Sequence, residues 1–365
     1  MDFALDEQAS AVDEVAGEVL GRHESRWEST FGRTGVPVGP GGFDEALWAA
    51  MTAAGLGRLA LPEVLGGDGL GVSTLTPLLR RLGAAAGVAP AIGSLSSARV
   101  LAAVDPATAD GGPLLRWGAS LARGGWHAIA LGEPGDLLTA TPATALVGGR
   151  LSGVKAGVLH ADGAAALLVS TDSGIVVVAP DADGVHLTRT PTSSGWGEYT
   201  VRFDDVAVDP ADVLVTDPAT LRDHYRIALC AYADGLIAGA TRLTADHVSG
   251  RHQFGKPIAL FQAVGQQLAD IYVIGRAMTL ATTAAAWRLA EGLDAGTDLA
   301  IGTYWMGAEI PATLRTMTHL HGGIGVDVTY PLHRYFSIAK DLGRLVGGGP
   351  ARLDELADAP IAAEV

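Results

Sequence analysis

Residues 251 to 262 read RHQFGKPIALFQ. Arg251 offers a forked cation suited to phosphate, Gln253 an uncharged hydrogen-bonding fork and Phe254 a flat apolar face, all around one small turn. Together they can hold one edge of a phosphorylated cofactor. The same residues also suit an ordinary helix end, where a basic side chain lies near the last carbonyls and a Gly follows. On this stretch alone both readings stand. The single cysteine, Cys230, sits in an apolar helical pattern and reads as a packed core thiol rather than a nucleophile. One cysteine makes neither a disulfide framework nor a cysteine metal cluster, and no metal site is expected.

The elements around these residues follow from periodicity. From Phe3 to about Val104, apolar residues recur at spacings of three and four in DEQASAVDEVAGEVLGRHES and FDEALWAAMTAAGLGRL, a helical pattern. The Gly- and Pro-rich TFGRTGVPVGPGG between them reads as loop. From about Trp126 the period becomes two, in short β-rich runs such as AALLVST, GIVVVAP and YTVRFDDVAV. In the last run Val201, Phe203, Val206 and Val208 alternate only if Asp204-Asp205 makes a bulge or turn. After Pro218 the helical period returns. Tyr225, Leu229, Tyr232, Leu236, Gly239 and Leu243 form one stripe of a helix about seven turns long. Phe261, Val264, Leu268 and Ile271 repeat the pattern on the next helix, and a turn is expected at Gly292 to Thr297. The fold class is therefore α+β: an N-terminal helical domain over 1–112, a small central β-domain over 113–217 and a C-terminal four-helix bundle over 218–365.

Composition bounds the partners. A chain of 365 residues, 48% hydrophobic and 18% charged, can bury a large core in about two or three domains. A net charge of -15 without a basic block argues against nucleic acid or an anionic membrane as main partner. The start, MDFALDEQAS, is acidic and polar, and no run approaches the roughly 20 apolar residues of a membrane helix, so a cytoplasmic protein is expected.

RHQFGKPIALFQ, together with LALPEVLGGDGLGVSTLTPLLRRLG, ALGEPG, YTVRFDDVAVDPADVL and HLHGGIGVDVTYPLHRYFSIAKDL, resembles the acyl-CoA dehydrogenase family across almost the whole chain. The resemblance implies FAD in a cleft shared by two subunits. Arg251 would reach the flavin pyrophosphate of the neighbouring subunit, with Gln253 and Phe254 beside it. Gly322 and Gly323 would let backbone amides approach the same cofactor. Phe261 and Gln262 join that edge, and His319 stands where the family usually has a Gln, able still to donate a hydrogen bond. Arg226 is carried over to the substrate side.

The family reaction takes a proton from the carbon next to a thioester and passes hydride from the next carbon to flavin. It needs a carboxylate base whose pKa is raised in a dry pocket. The resemblance puts that Glu at one of two positions, which here fall on Val346 and Tyr225; neither is a carboxylate. Asp341 and Asp354 lie several residues from the first position, and Asp223 lies two before the second, on the wrong side of a helix. No catalytic residue is assigned. The β-domain departs too: GEP is followed by GDLLTATP, and the strand that usually lies against the flavin ring, KAGVLHADG, carries no Trp or Tyr.

These departures imply a non-catalytic subunit of a heteromeric FAD-dependent acyl-CoA dehydrogenase. The chain is similar to the smaller subunits of actinobacterial enzymes that shorten steroid side chains, through AYADGLIAGATRLTADHV, TPTSSGWGEYT and AAWRLAEGLDAGTDL. The partners so implied are a larger homologous subunit in an α2β2 assembly, an acyl-CoA thioester of the steroid (cholesterol) side-chain class, and an electron-transfer flavoprotein or other acceptor. Two other readings stand beside it: a homomeric flavoenzyme using Asp341 or a His as base, and a CoA-thioester-binding protein without redox chemistry.

Overall fold

A computed structural model describes residues 5–24, 41–103, 112–214 and 216–358. Of the Gly- and Pro-rich stretch read as loop, residues 30–40 lie outside that range, as do Phe3 and the last seven positions.

Among the described residues five α-helices come first: α1 (Glu7–Glu24), α2 (Glu45–Ala53), α3 (Val72–Ala84), α4 (Ala91–Ala102) and α5 (Gly112–Ala122). Asp44 caps α2, its carboxylate accepting from Leu47 N at 2.9 Å. Arg81 on α3 fastens to Asp13 on α1 through two hydrogen bonds of 2.6 and 2.5 Å.

Strands begin at His127, after α5 has run through the 112/113 position: β1 (His127–Ala130), β2 (Ala145–Val147), β3 (Arg150–Leu159), β4 (Ala166–Thr171), β5 (Gly174–Val178), β6 (Val185–Thr190), β7 (Glu198–Ala207) and β8 (Val213–Leu214). They form two sheets, ordered β1-β4-β5-β8 and β2-β3-β7-β6. Leu167, Val169 and Val176 from one sheet and Val158, Val201 and Phe203 from the other share one apolar cluster. The expected irregularity is present: β3–β7 register slips between Leu151↔Val206 and Gly153↔Phe203, and Asp205 takes φ 55°.

The C-terminal part opens with α6 (Pro218–Gly250), whose 33 residues make about nine turns rather than seven. Tyr225, Leu229, Tyr232, Leu236 and Gly239 are buried along it, and Leu243 is half-buried. A hairpin of β9 (His252–Gln253) and β10 (Lys256–Pro257) leads to α7 (Gln262–Ala290). Then come α8 (Gly296–Tyr304), a π-turn at Trp305–Glu309, α9 (Ile310–His321), α10 (Leu332–Leu345) and α11 (Gly348–Asp358). The α7 seam is less buried than its spacing predicts: Ile271 is fully buried, whereas Phe261, Val264 and Leu268 are half-buried in the single chain.

Glycine joins the two helical parts. A Cβ on Gly83 would fall 1.9 Å from Tyr232 O, and one on Gly235 would fall 1.8 Å from Arg80 O, so the α3 and α6 backbones touch where no side chain fits. No described helix is long and apolar enough to cross a membrane. Among the described residues no group of three His, Cys, Asp or Glu could hold a metal ion. Cys230 is buried, and burial pushes its thiol up to about 12, as befits a core residue.

Candidate cofactor and acyl site

Arg251 caps α6, its N donating to His247 O at 2.9 Å, and its carbonyl accepts from Ile258 N at 2.8 Å, which closes the hairpin into one arm. The side chains of that arm are not folded away: Arg251 and Gln253 are exposed, and Phe254 is 92% exposed with φ 52°. A left-handed aromatic residue in solvent is strained and unburied at once, which suits a contact made to something beyond this chain. Phe254 meets Phe261 edge-on at 6.2 Å, and Lys256 Nζ stands 4.3 Å over the Phe261 ring. Gln262 and His319 are exposed as well.

The Gly322-Gly323 turn lies beside the end of α6. His247, one turn before Arg251, stacks on His321 at 4.3 Å and 20°, and His321 directly precedes Gly322. Gly322 has φ 67°, and a Cβ at either glycine would meet nothing within 4 Å, so the space over this turn is open. The His247–His321 stack thus brings the end of α6 and the Gly322-Gly323 turn together, and Arg251 and both glycines are open.

The two positions where the resemblance implies a base are a different matter. Tyr225 and Val346 are both buried, and the Tyr225 hydroxyl has no hydrogen-bond partner. Burial, then the nearby Glu198 carboxylate, drive that hydroxyl far above its ordinary range. Glu198 itself, buried on β7, pairs with Arg344 on α10. Burial raises its carboxyl although the guanidinium opposes the rise. A carboxylate therefore does stand near one base position, but it comes from the β-domain and is already paired. Reading outward along the chain from Val346 and Tyr225 misses it. Its only sequence signal is weak: alternation puts Glu198 on the polar face with Thr200 and Arg202, and only helix packing over the strand's end buries it.

The other acids raised from the sequence, Asp341, Asp223 and Asp354, have different settings, and buried Asp223 Oδ1 makes no hydrogen bond. Asp341 is spent on Ser193 N, Ser194 N and Ser194 Oγ at 3.0, 2.7 and 2.6 Å. Asp223 lies 3.8 Å from Arg222, and Asp354 is exposed on α11. Arg226 is buried, with Nη1 2.9 Å from Glu355 on α11 and Nη2 donating to Thr303 Oγ1 at 3.1 Å, so its charge faces helices rather than an open cleft.

The strand expected against a flavin ring is also covered. A Cβ on Gly157 would fall 3.1 Å from Leu345 and 3.4 Å from Leu137 side-chain carbons, so these leucines already lie on the strand. His160 meets Phe43 edge-on at 5.4 Å, and Trp196 lies 6.1 Å away. The loop after GEP is knitted shut: Glu133 pairs with buried Lys155 at 2.8 Å and accepts from Ala143 N, Thr144 N and Thr144 Oγ1. These residues leave no open face for a flavin ring on this strand, whereas the arm at Arg251, Gln253 and Phe254 is open.

Acyl-CoA dehydrogenase FadE28 of Mycobacterium tuberculosis is 46% identical over 310 residues, 85% of this chain and 91% of that protein. The chain belongs to the acyl-CoA dehydrogenase family. The acyl-CoA dehydrogenase C-terminal domain matches residues 219–349. Among solved structures, the ChsE4–ChsE5 complex from Mycobacterium tuberculosis is similar at TM-score 0.86 and 31% identity, covering 99% of this chain and 100% of that one. A Tcur3481–Tcur3483 steroid ACAD variant is similar at TM-score 0.84 and 34% identity, covering 96% and 97%. The helical, two-sheet, helical order of this acyl-CoA dehydrogenase is thus the family's, and the family's chemistry is FAD-dependent oxidation.

Proposed function

We propose that this acyl-CoA dehydrogenase chain is the non-catalytic subunit of a heteromeric enzyme that introduces a 2,3 double bond into an acyl-CoA thioester of the steroid side-chain class. One asymmetry carries the reading: the arm of Arg251, Gln253 and Phe254 stands exposed, while Tyr225 and Val346 are buried and the carboxylate nearest Tyr225, Glu198, is already paired with Arg344. Flavin held mainly by a larger homologous subunit supplies hydride acceptance. This chain's part is to clamp it from outside, Arg251 on phosphate and the Gly322-Gly323 amides beside it. Phe254, Phe261, Gln262 and His319 extend that edge. Support for an unlike partner comes from the similar structures, one described as a two-component complex and one as a steroid enzyme of two named chains. The assembly is α2β2 and cytoplasmic, and it passes electrons to an electron-transfer flavoprotein or a similar acceptor.

The test is co-expression with a homologous acyl-CoA dehydrogenase chain that retains its Glu, followed by flavin counting and turnover of a polycyclic side-chain CoA thioester. One flavin for each pair of unlike chains, with turnover abolished by removing the partner's Glu, is expected. Stoichiometric flavin on this chain purified alone, or turnover surviving that removal, defeats the proposal.

A further inference from the structure

The segment between β6 and β7, TPTSSGWGE ending at Glu198, is gripped along its length by three other parts of the molecule. Near its start the Asp341 carboxylate accepts all three hydrogen bonds from Ser193 and Ser194. At its end Glu198 pairs with Arg344, three residues further along α10 and on the same helix face. In its middle Trp196, 2% exposed, stands edge-on to Tyr232 of α6 with centroids 5.5 Å apart at 81°. Gly197 N donates to Gly42 O at 3.1 Å. A Cβ on Gly197 would fall 2.1 Å from Gly41 O, and one on Gly42 would fall 2.2 Å from Gly197 N. The two backbones meet only because both positions are glycine.

This grip adjoins the two places where the resemblance implies a base: Tyr225 is buried within electrostatic reach of Glu198 and Arg344, and buried Val346 is two residues beyond Arg344. Ordinary core packing would fill such a space with apolar side chains. Here two carboxylates are taken out of water and spent on fixing one loop to one helix, an arrangement that specifies position at a cost in desolvation.

We propose that residues 192–198 form a latch, with Asp341 and Arg344 of α10 as its catch, that holds this chain's own cleft closed. The inference rests on the reading of a non-catalytic subunit and adds to it: the cleft is silenced by closure as well as by the missing base. Returning a Glu to position 346 does not restore it.

The test is hydrogen exchange on the full chain in its assembled complex. Asp341→Asn combined with Glu198→Gln is expected to speed amide exchange in 192–198 and 345–347 on the order of 10- to 100-fold, leaving α1 and α3 unchanged. Should that variant fail to fold, Ser194→Ala, which deletes a single hydroxyl contact, is expected to speed exchange several-fold in the same segment only. Wild-type exchange rates in the folded variants would overturn the latch. Flavin counted in the same samples separates the two readings. Unchanged exchange with one flavin per unlike pair overturns the latch alone, while flavin in this chain's own cleft overturns both.

Discussion

Tyr225, one of the two positions where the family resemblance implies a base, is closed to solvent. Its hydroxyl is buried and unpartnered, so Tyr225→Phe removes a group that was desolvated for no hydrogen bond. The variant is expected to lie within about 1 kcal/mol of wild type or above it in urea unfolding, with complex turnover unchanged. Lost turnover would place chemistry at this residue. Val346→Glu is expected to do the reverse. The site is 0% exposed and Arg344 is already neutralised by Glu198, so a new carboxylate there is unpaired and costs about 3 kcal/mol or more. Denaturant midpoints check the cost, and turnover after removing the partner's Glu checks that no activity returns. Arg251→Ala, at an exposed position, should leave the fold intact and weaken flavin retention by the complex about 10- to 100-fold, the worth of one charge-assisted contact. Equal flavin content in mutant and wild type would reduce Arg251 to a helix cap.

At the scale of elements, the loop after β1 depends on one ion pair. Lys155 Nζ is fully buried, donating to Leu131 O at 3.2 Å and Ser170 Oγ at 3.1 Å as well as to Glu133. Burial pushes the Glu133 carboxyl up, but Lys155 and the three donors at Ala143 and Thr144 outweigh it and hold the group down at about 2, below an ordinary 4.5. A depressed folded-state pKa means that the stabilisation is complete above about 4.5 and is lost as pH falls toward 2. Thermal unfolding across that window should show stability falling, and Glu133→Gln should flatten this part of the profile. At neutral pH the same variant strands a buried ammonium and is expected to cost about 3 kcal/mol. A profile identical in mutant and wild type would remove Glu133 from the acid response.

At the scale of the molecule, the lone chain leaves apolar surface uncovered. Phe254, Leu260, Tyr272 and Val273 are each at least 60% exposed, running from the arm onto α7. Half-burial of Phe261, Val264 and Leu268 belongs to the same surface. This is the face expected to meet the unlike subunit, with a large, obligate interface above roughly 2,000 Å². Tyr272→Asp with Val273→Asp should break the α2β2 complex in sedimentation velocity and release its flavin. A tetramer of wild-type mass would move the interface elsewhere.

Helix and strand order and the bulge at Asp204-Asp205 were determined by the sequence alone, while Val346 and Tyr225 were singled out only through the family resemblance. Each rests on local period or on counting from a contiguous motif, and such signals survive without knowing what packs on what. The length of α6 was underread because its stripe ends before its backbone hydrogen bonding does. Only the tertiary structure decided that Glu198 stands beside Tyr225, that Asp341 serves serines 147 and 148 positions away, and that Leu345 covers Gly157. Those contacts join segments from different parts of the chain. Their burial is set by which faces meet, and no local pattern records it.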